Sequence, residues 1–165
     1  MPVVDGAAPA ARREPLSVGS VAPDFVLPDG DRNEVRLSTV ADGRASVVVF
    51  FPWAFTSVCV SELCSLRDRL PELSNDHAVT LAISCDATAT LRELTRQQGY
   101  AFPLLSDHWP HGEVASAYGV FDSAIGASLR GTFVLDRDLV VRWSVVNAVP
   151  DPRDVDDYVR VLAEI

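Results

Sequence analysis

The 165-residue chain is 48% hydrophobic and carries 14 basic against 23 acidic residues, a net charge of −9. This length and composition suit one globular domain with its own core. The acidic charge, without any Lys/Arg cluster, disfavours nucleic acid and anionic membranes as partners. No apolar segment suggests a membrane span or a secretory signal, so we predict a cytoplasmic protein. In that compartment three cysteines do not suggest a disulfide framework, and each thiol is interpreted as core filler, metal ligand or redox group.

The first predicted elements follow a segment of different composition. Residues 1–18 are rich in Ala, Pro and Arg without periodicity, and we expect them to be a flexible tail ahead of a folded domain at 19–165. Turn residues between short apolar segments predict a hairpin over 22–38. The continuous β-branched and aromatic run at 46–51 predicts a strand that is covered on both faces.

An amphipathic helix is predicted next. Cys59, Leu63, Leu66 and Leu70 recur on one helical face, and Pro71 is expected to end the helix. The later predicted elements are a buried strand at 79–84, a helix at 88–98 stopped by Gly99, a short strand near 102–105, a helix near 113–118, a hairpin pairing 131–136 with 139–146 across Arg137 and Asp138, and a last helix capped by Asp151 with Pro152 in its first turn.

This order of elements defines a fold class. Alternating strands and helices predict parallel pairing with right-handed crossovers, and the final hairpin makes the sheet mixed. We therefore predict an α/β protein with the element order of a thioredoxin-like fold: a central mixed sheet flanked by helices, with an N-terminal hairpin extension.

Cys59 occupies a position that is typical of reactive groups in α/β proteins, because it opens a helix directly after the C-terminal end of a central strand. Helix N-termini beside a fixed cation stabilise the thiolate, which is the nucleophilic form of cysteine. The preceding loop supplies rigid Pro52, an apolar pocket cover from Trp53 and Phe55, and the hydroxyl of Thr56. Spacing alone leaves Cys59 equally open to interpretation as a small core residue.

The resemblance of this sequence to a known family favours a reactive thiol over a core residue at Cys59. Pro52, Thr56 and Cys59 stand in the Pro-x-x-x-Thr-x-x-Cys arrangement of the peroxiredoxins, thiol peroxidases of thioredoxin-like fold. The stretches "APDFVLPD", "FPLLSDHWPHG", "AYGVF" and "RGTFVLD" resemble those of the alkyl hydroperoxide reductase E subfamily, from about Val18 to near the C-terminus. The resemblance implies an antioxidant enzyme that reduces hydrogen peroxide and organic hydroperoxides without a cofactor.

The same resemblance implies roles for individual residues. Cys59 would be the peroxidatic cysteine, which attacks the hydroperoxide and becomes a sulfenic acid. Thr56 would donate to or orient the peroxide, Pro52 would shield the site, and Arg130 would hold the thiolate and the reacting oxygens. Glu62 matches a position that orients an active-site Arg, although a Glu near a helix N-terminus is also common because of the helix dipole.

A second cysteine, Cys64, departs from the one-cysteine relatives and resembles the resolving cysteine of Q-type peroxiredoxins, which forms an intramolecular disulfide. Helix positions five apart lie about 8.6 Å apart between Cα atoms, whereas a disulfide tolerates at most about 7 Å. If Cys64 resolves Cys59, the first turns of the helix must therefore unwind. Alternatively, Cys64 is unreactive, or Cys85 resolves Cys59, although burial at a strand end is the simpler interpretation of Cys85.

Partners also follow from the resemblance. It implies a hydroperoxide substrate, a thioredoxin-like protein or low-molecular-weight thiol as reductant, and a homodimer in which Trp53 and Phe55 suit the interface. An alternative is a peroxiredoxin-like protein that has been repurposed as a redox enzyme on a specialised metabolite or as a peroxide sensor.

A metal site is a competing interpretation of the cysteines. Cys59, Cys64, His108 and His111 contain the ligand types of a zinc site. Pro110 lies inside the histidine pair, however, and the thiols lack zinc-knuckle spacing. We therefore expect no metal.

Overall fold

The structure is a computed structural model in which residues 13–165 are described. Residues 1–12 of the expected tail lie outside the described residues. The rest of that segment is attached to the domain: the Leu16 backbone N–H donates to the Tyr118 carbonyl at 3.2 Å, and the Leu16 side chain packs on the core. Apolar Leu16 gains contacts there, and the flexible tail over residues 1–18 stays a prediction.

Nine strands lie in the described part of the chain. They are β1 (Val26–Pro28), β2 (Glu34–Arg36), β3 (Ala45–Phe50), β4 (Ala78–Ser84), β5 (Leu104–Ser106), β6 (Phe121–Asp122), β7 (Ala127–Ser128), β8 (Arg130–Leu135) and β9 (Val141–Asn147). The central sheet has the order β5-β4-β3-β8-β9. Strands β3, β4 and β5 are parallel, and β8 pairs antiparallel with β3 and β9. The predicted mixed α/β sheet is confirmed.

The helices alternate with these strands. They are α1 (Leu37–Ala41), α2 (Ser57–Asp68), α3 (Leu70–Leu73), α4 (Thr88–Gln98), α5 (Glu113–Ala117) and α6 (Val155–Leu162). Within residues 13–165, none combines the length and the apolar character that crossing a membrane requires.

Strand β3 separates two apolar layers. Val47 and Val49 face one layer, while Val48 and Phe50 face the other, as the alternation of side chains along a strand requires. All four side chains are at most 1% exposed. Helices α2, α4 and α6 cover the first layer, so the prediction that this strand is covered on both faces is confirmed.

Two predicted helix ends differ from the structure. Helix α2 begins at Ser57 with Thr56 as its N-cap, and it ends at Asp68. Pro71 does not end it but lies in the first turn of α3, where a missing N–H sacrifices no helical hydrogen bond.

The last helix also begins later than predicted. Its N-cap is Asp154 rather than Asp151, because the Asp154 carboxylate accepts the backbone N–H of Asp156 at 2.9 Å. Such a bond satisfies one of the free N–H groups in the first turn. Pro152 consequently lies in the segment before α6 and not in its first turn.

Candidate active site

Cys59 lies in the first turn of α2, immediately beyond the C-terminal end of β3. Its side chain is fully buried. The thiol therefore combines two features, a position where helix N–H groups favour negative charge and seclusion from bulk water.

Arg130 contacts this thiol directly. Strand β8 runs antiparallel beside β3, with Val49 opposite Thr132, so the first residue of β8 lies near the end of β3. The Arg130 Nη1 atom is 3.3 Å from Cys59 Sγ, and its Nε donates to the Val149 carbonyl at 2.5 Å. The guanidinium is 2% exposed, so its charge is screened little by solvent.

Glu62 joins Arg130 to a second arginine. Its Oε1 accepts from Arg130 Nη1 at 2.5 Å, while its Oε2 accepts from Arg153 Nε at 2.9 Å and from the Arg153 backbone N–H at 2.7 Å. Burial opposes ionisation of Glu62, but the hydrogen bonds and charge of Arg153, with the charge of Arg130, outweigh it and lower the pKa of this carboxyl. Glu62 is therefore an ionised bridge between the two arginines.

Arg153 was not found by sequence reasoning. It also donates through Nη1 to the carbonyls of Phe50 at 2.7 Å and Gly131 at 2.8 Å. Two guanidinium groups and one carboxylate leave a net charge of plus one in this buried network. The sulfur of Cys59 lies against this charge, because Arg130 contacts it.

Thr56 turns its hydroxyl into the loop. The Oγ1 atom donates to the Trp53 carbonyl at 2.9 Å and makes no capping bond to α2. The proton of this hydroxyl is thus committed, while its oxygen lone pairs stay available as acceptors.

The other predicted loop residues have different environments. Pro52 is buried, whereas Trp53 and Phe55 are 38% and 48% exposed. Phe55 has a φ of 62°, in the left-handed region that bulky residues rarely adopt. The loop therefore combines a buried proline, two accessible aromatic side chains and a strained backbone.

Cys64 and Cys59 are not in contact. Helix α2 is continuous across both residues, and the Cys64 Sγ atom lies 3.6 Å from Gln98 Oε1 and 3.7 Å from the Tyr100 hydroxyl. All three cysteines are unpaired.

Cys85 follows β4 and is 6% exposed. Burial, together with the charges of Asp107 and Asp86, raises the pKa of the Cys85 thiol to about 12. Because a thiol in this state supplies almost no thiolate at neutral pH, these surroundings disfavour Cys85 as an attacking group.

The residues considered for zinc have other partners. His108 Nδ1 lies 3.1 Å from the Cys85 carbonyl, and His111 Nε2 lies 2.7 Å from the Gly126 carbonyl. Within residues 13–165, no group of three or more His, Cys, Asp or Glu side chains is arranged to hold a metal ion.

The chain is similar to known proteins over most of its length. The sequence profile of the AhpC/TSA family matches residues 18–144. The chain is 43% identical over 150 residues to alkyl hydroperoxide reductase E of Mycobacterium tuberculosis, covering 91% of this chain and 98% of that protein. It is 33% identical over 162 residues to a putative peroxiredoxin of Synechocystis, covering 92% of this chain and 80% of that protein.

Solved structures show the same relationship. Peroxidoxin BcpB of Mycobacterium tuberculosis superposes with a TM-score of 0.81 at 30% identity, covering 90% of this chain and 97% of that one. AhpC of Mycobacterium tuberculosis superposes with a TM-score of 0.79 at 26% identity, covering 91% of this chain and 98% of that one. The chain therefore belongs to the AhpC/TSA family, the peroxiredoxins. It is a thiol-dependent peroxidase with a thioredoxin-like fold.

Proposed function

We propose that this peroxidase reduces hydrogen peroxide and organic hydroperoxides with Cys59 as its peroxidatic thiol. The observation that carries the proposal is the 3.3 Å contact between Arg130 Nη1 and Cys59 Sγ, in a buried network with one uncompensated positive charge. That charge favours the thiolate, and the first turn of α2 adds to its effect.

The chemical step is a displacement on the O–O bond. The Cys59 thiolate attacks one peroxide oxygen, an S–O bond forms, and the O–O bond breaks. The leaving oxygen takes the electron pair and a proton and departs as water or an alcohol. Cys59 is thereby oxidised to a sulfenic acid and the peroxide is reduced. Arg130 stabilises the negative charge as it moves from sulfur to the leaving oxygen.

Thr56 and its neighbours orient the substrate in this proposal. Because the Thr56 proton is donated to Trp53, its oxygen acts as an acceptor for the O–H of the peroxide. The orienting role is thus favoured over donation. Buried Pro52 shields the thiol, and Trp53 with Phe55 forms the apolar side of the pocket.

Cys64 completes the cycle by attacking the sulfenic acid. A Cys59–Cys64 disulfide forms and water leaves. Because α2 separates the two thiols in the folded state, this step requires its first turns to unwind. A thioredoxin-like protein or low-molecular-weight thiol then reduces the disulfide by exchange.

The oligomeric state is a second part of the proposal. The exposed aromatic side chains of Trp53 and Phe55 suit the interface of a homodimer. Sedimentation velocity of wild type and Phe55→Glu tests this interface, and an unchanged mass in the variant would contradict it.

A cytoplasmic location is also proposed. The three unpaired thiols agree with a reducing cytoplasm, and cell fractionation tests this location.

Rapid-mixing tryptophan fluorescence tests the peroxidase role. We expect fast oxidation by hydrogen peroxide or a small organic hydroperoxide, and no reaction in Cys59→Ser. Cys64→Ser should keep the first oxidation but stop at the sulfenic acid. Sluggish reaction with every peroxide would instead favour a repurposed redox enzyme or a sensor.

A further inference from the structure

We propose that Asp86, just beyond the C-terminal end of β4, is a positioning residue for the loop at 52–56, here called the thiol loop. The proposal rests on the proposed role of Cys59. The thiol loop connects β3 to α2 and contains Thr56, which orients the peroxide in the mechanism above.

The thiol loop needs an external support. Pro52 has no backbone N–H to donate, and the loop lies beyond the strand pairing, which ends at Phe50. Phe55 has a φ of 62°. Such strained residues persist where surrounding contacts hold them, and they concentrate at functional sites.

Asp86 provides that support through its carboxylate. The Oδ2 atom accepts the backbone N–H of Ala54 at 2.9 Å and the hydroxyl of Ser84 at 2.7 Å. The Asp86 carbonyl accepts the hydroxyl of Ser106 at 2.5 Å. Ser84, at the end of β4, therefore holds the carboxylate that bonds the middle of the thiol loop, and Ser106, in β5, holds the backbone of the same residue.

The other side-chain bonds of this region do not replace it. The Thr56 hydroxyl bonds Trp53 within the loop, and Ser128 Oγ donates to the Phe51 carbonyl at 3.0 Å, before the loop begins. Among the side chains of residues 13–165 that lie outside the thiol loop, that of Asp86 is the one that hydrogen-bonds the backbone of the thiol loop. Loss of this contact frees the segment that carries Trp53 and Thr56 relative to Arg130.

Misplacement of a positioned group by about 1 Å can slow a reaction roughly 100-fold. Asp86 thus acts on the chemistry through the loop and Thr56, without contacting the reacting atoms. A purely stabilising carboxylate would lower the unfolding temperature but leave the reactivity of the folded protein unchanged.

The test compares three variants by stopped-flow oxidation with hydrogen peroxide and by hydrogen exchange at the Ala54 amide. Asp86→Ala removes the acceptor, and we expect oxidation about tenfold slower or more, with faster Ala54 exchange. Asp86→Asn keeps an acceptor oxygen, so its oxidation rate should stay within about threefold of the wild-type rate. The matched control is Asp136→Ala, at the end of β8 and thus at the opposite ends of the sheet's strands. Asp136 Oδ1 accepts the N–H groups of Asp138 at 2.9 Å and Val140 at 3.0 Å. The control variant should oxidise at the wild-type rate.

Several outcomes would overturn the role of Asp86. They are a wild-type oxidation rate in Asp86→Ala, equal slowing in Asp86→Ala and Asp136→Ala, equal slowing in Asp86→Asn, or unchanged Ala54 exchange. If Asp86→Ala fails to fold, Ser84→Ala removes the hydroxyl that holds the carboxylate. It should then show faster Ala54 exchange and slower oxidation, and wild-type values would overturn the proposal. Failure of the proposed function would be recognised separately, because Cys59→Ser would then still react with peroxide.

Discussion

Arg130 holds three partners at once, and the peroxidatic role proposed for Cys59 depends on this arrangement. It contacts Cys59, Glu62 and the Val149 carbonyl through adjacent guanidinium nitrogens. A shorter neutral side chain cannot reproduce this fork. That Arg130 holds a thiolate stays a prediction from the sequence resemblance, and the pairing of β8 with β3 explains how its side chain reaches the Cys59 sulfur.

We expect Arg130→Gln to slow oxidation of Cys59 by peroxide about 100-fold or more, because the charge that faces both the thiolate and the leaving oxygen is lost. Stopped-flow fluorescence measures the rate. Arg142→Gln is the control, since Arg142 forms an ion pair with Asp136 but is 53% exposed. A rate for Arg130→Gln within about twofold of the control would contradict the role of Arg130.

Glu62 gives the fold a dependence on pH. Its pKa in the folded state is lowered by the two arginines, so its contribution to stability is complete above the unfolded carboxyl pKa of about 4.3. That contribution is lost as the pH falls through the lower folded pKa. We expect Glu62→Gln to be less stable than wild type at pH 7 and to lose less stability on acidification.

Urea unfolding between pH 3 and pH 7 measures this difference. The control is Glu72→Gln, because Glu72 also pairs with an arginine, Arg69, but at the surface, where ion pairs contribute little. If Glu62→Gln and Glu72→Gln changed the free energy of unfolding alike at every pH, the buried network would not stabilise the fold as described.

Among the elements, α2 has two opposed tasks. In the proposed mechanism its first turn favours negative charge at Cys59, whereas its continuity keeps Cys64 away from Cys59. Cys64 also contacts Gln98 and Tyr100, and Arg67 Nη1 donates to the Gln98 carbonyl at 2.8 Å. The second half of α2 is therefore tied to the end of α4, so in the proposed disulfide step we expect the first half to open.

Tyr100→Phe should release Cys64 and speed disulfide formation. Burial and the hydrogen bond to Cys64 raise the pKa of Tyr100, so its hydroxyl remains protonated and able to donate. Loss of one such bond is worth about 1 kcal/mol, or roughly fivefold in rate. The first oxidation by peroxide should not change, and stopped-flow fluorescence separates the two phases.

The control for this variant is Tyr118→Phe, which removes a hydroxyl bonded to the Pro23 carbonyl in the other apolar layer. Equal rates of disulfide formation in the two variants would show that Tyr100 does not restrain Cys64.

Elements with continuous patterns were predictable, and their ends were less so. The buried strand β4 and the helix α4, with Gly99 as its left-handed C-cap, were predicted within one residue. The short elements α1, β6 and β7 were not, because two to five residues are too few to display a period. The cap of α6 was misplaced because two acidic residues, Asp151 and Asp154, precede Val155 at the start of the apolar face, and only geometry distinguishes Asp154 as the cap.

At the scale of the whole molecule, the sheet collects the site from distant parts of the chain. Cys59 and Arg130 are 71 positions apart, and Glu62 and Arg153 are 91 apart. The predicted topology brings the first pair to one sheet edge. Arg153 lies in an irregular segment before α6, where no periodicity fixes the position of a side chain, so its bond to Glu62 required the structure. Asp86 likewise gave no motif, since its role depends on a contact with the Ala54 backbone.

Mass spectrometry of protein treated with one equivalent of hydrogen peroxide, with a sulfenic-acid trap, tests the central role of Cys59 most directly. We expect a Cys59–Cys64 disulfide in wild type and a trapped sulfenic acid at Cys59 alone in Cys64→Ser. Oxidation at Cys64 or Cys85 while Cys59 stays reduced would contradict it.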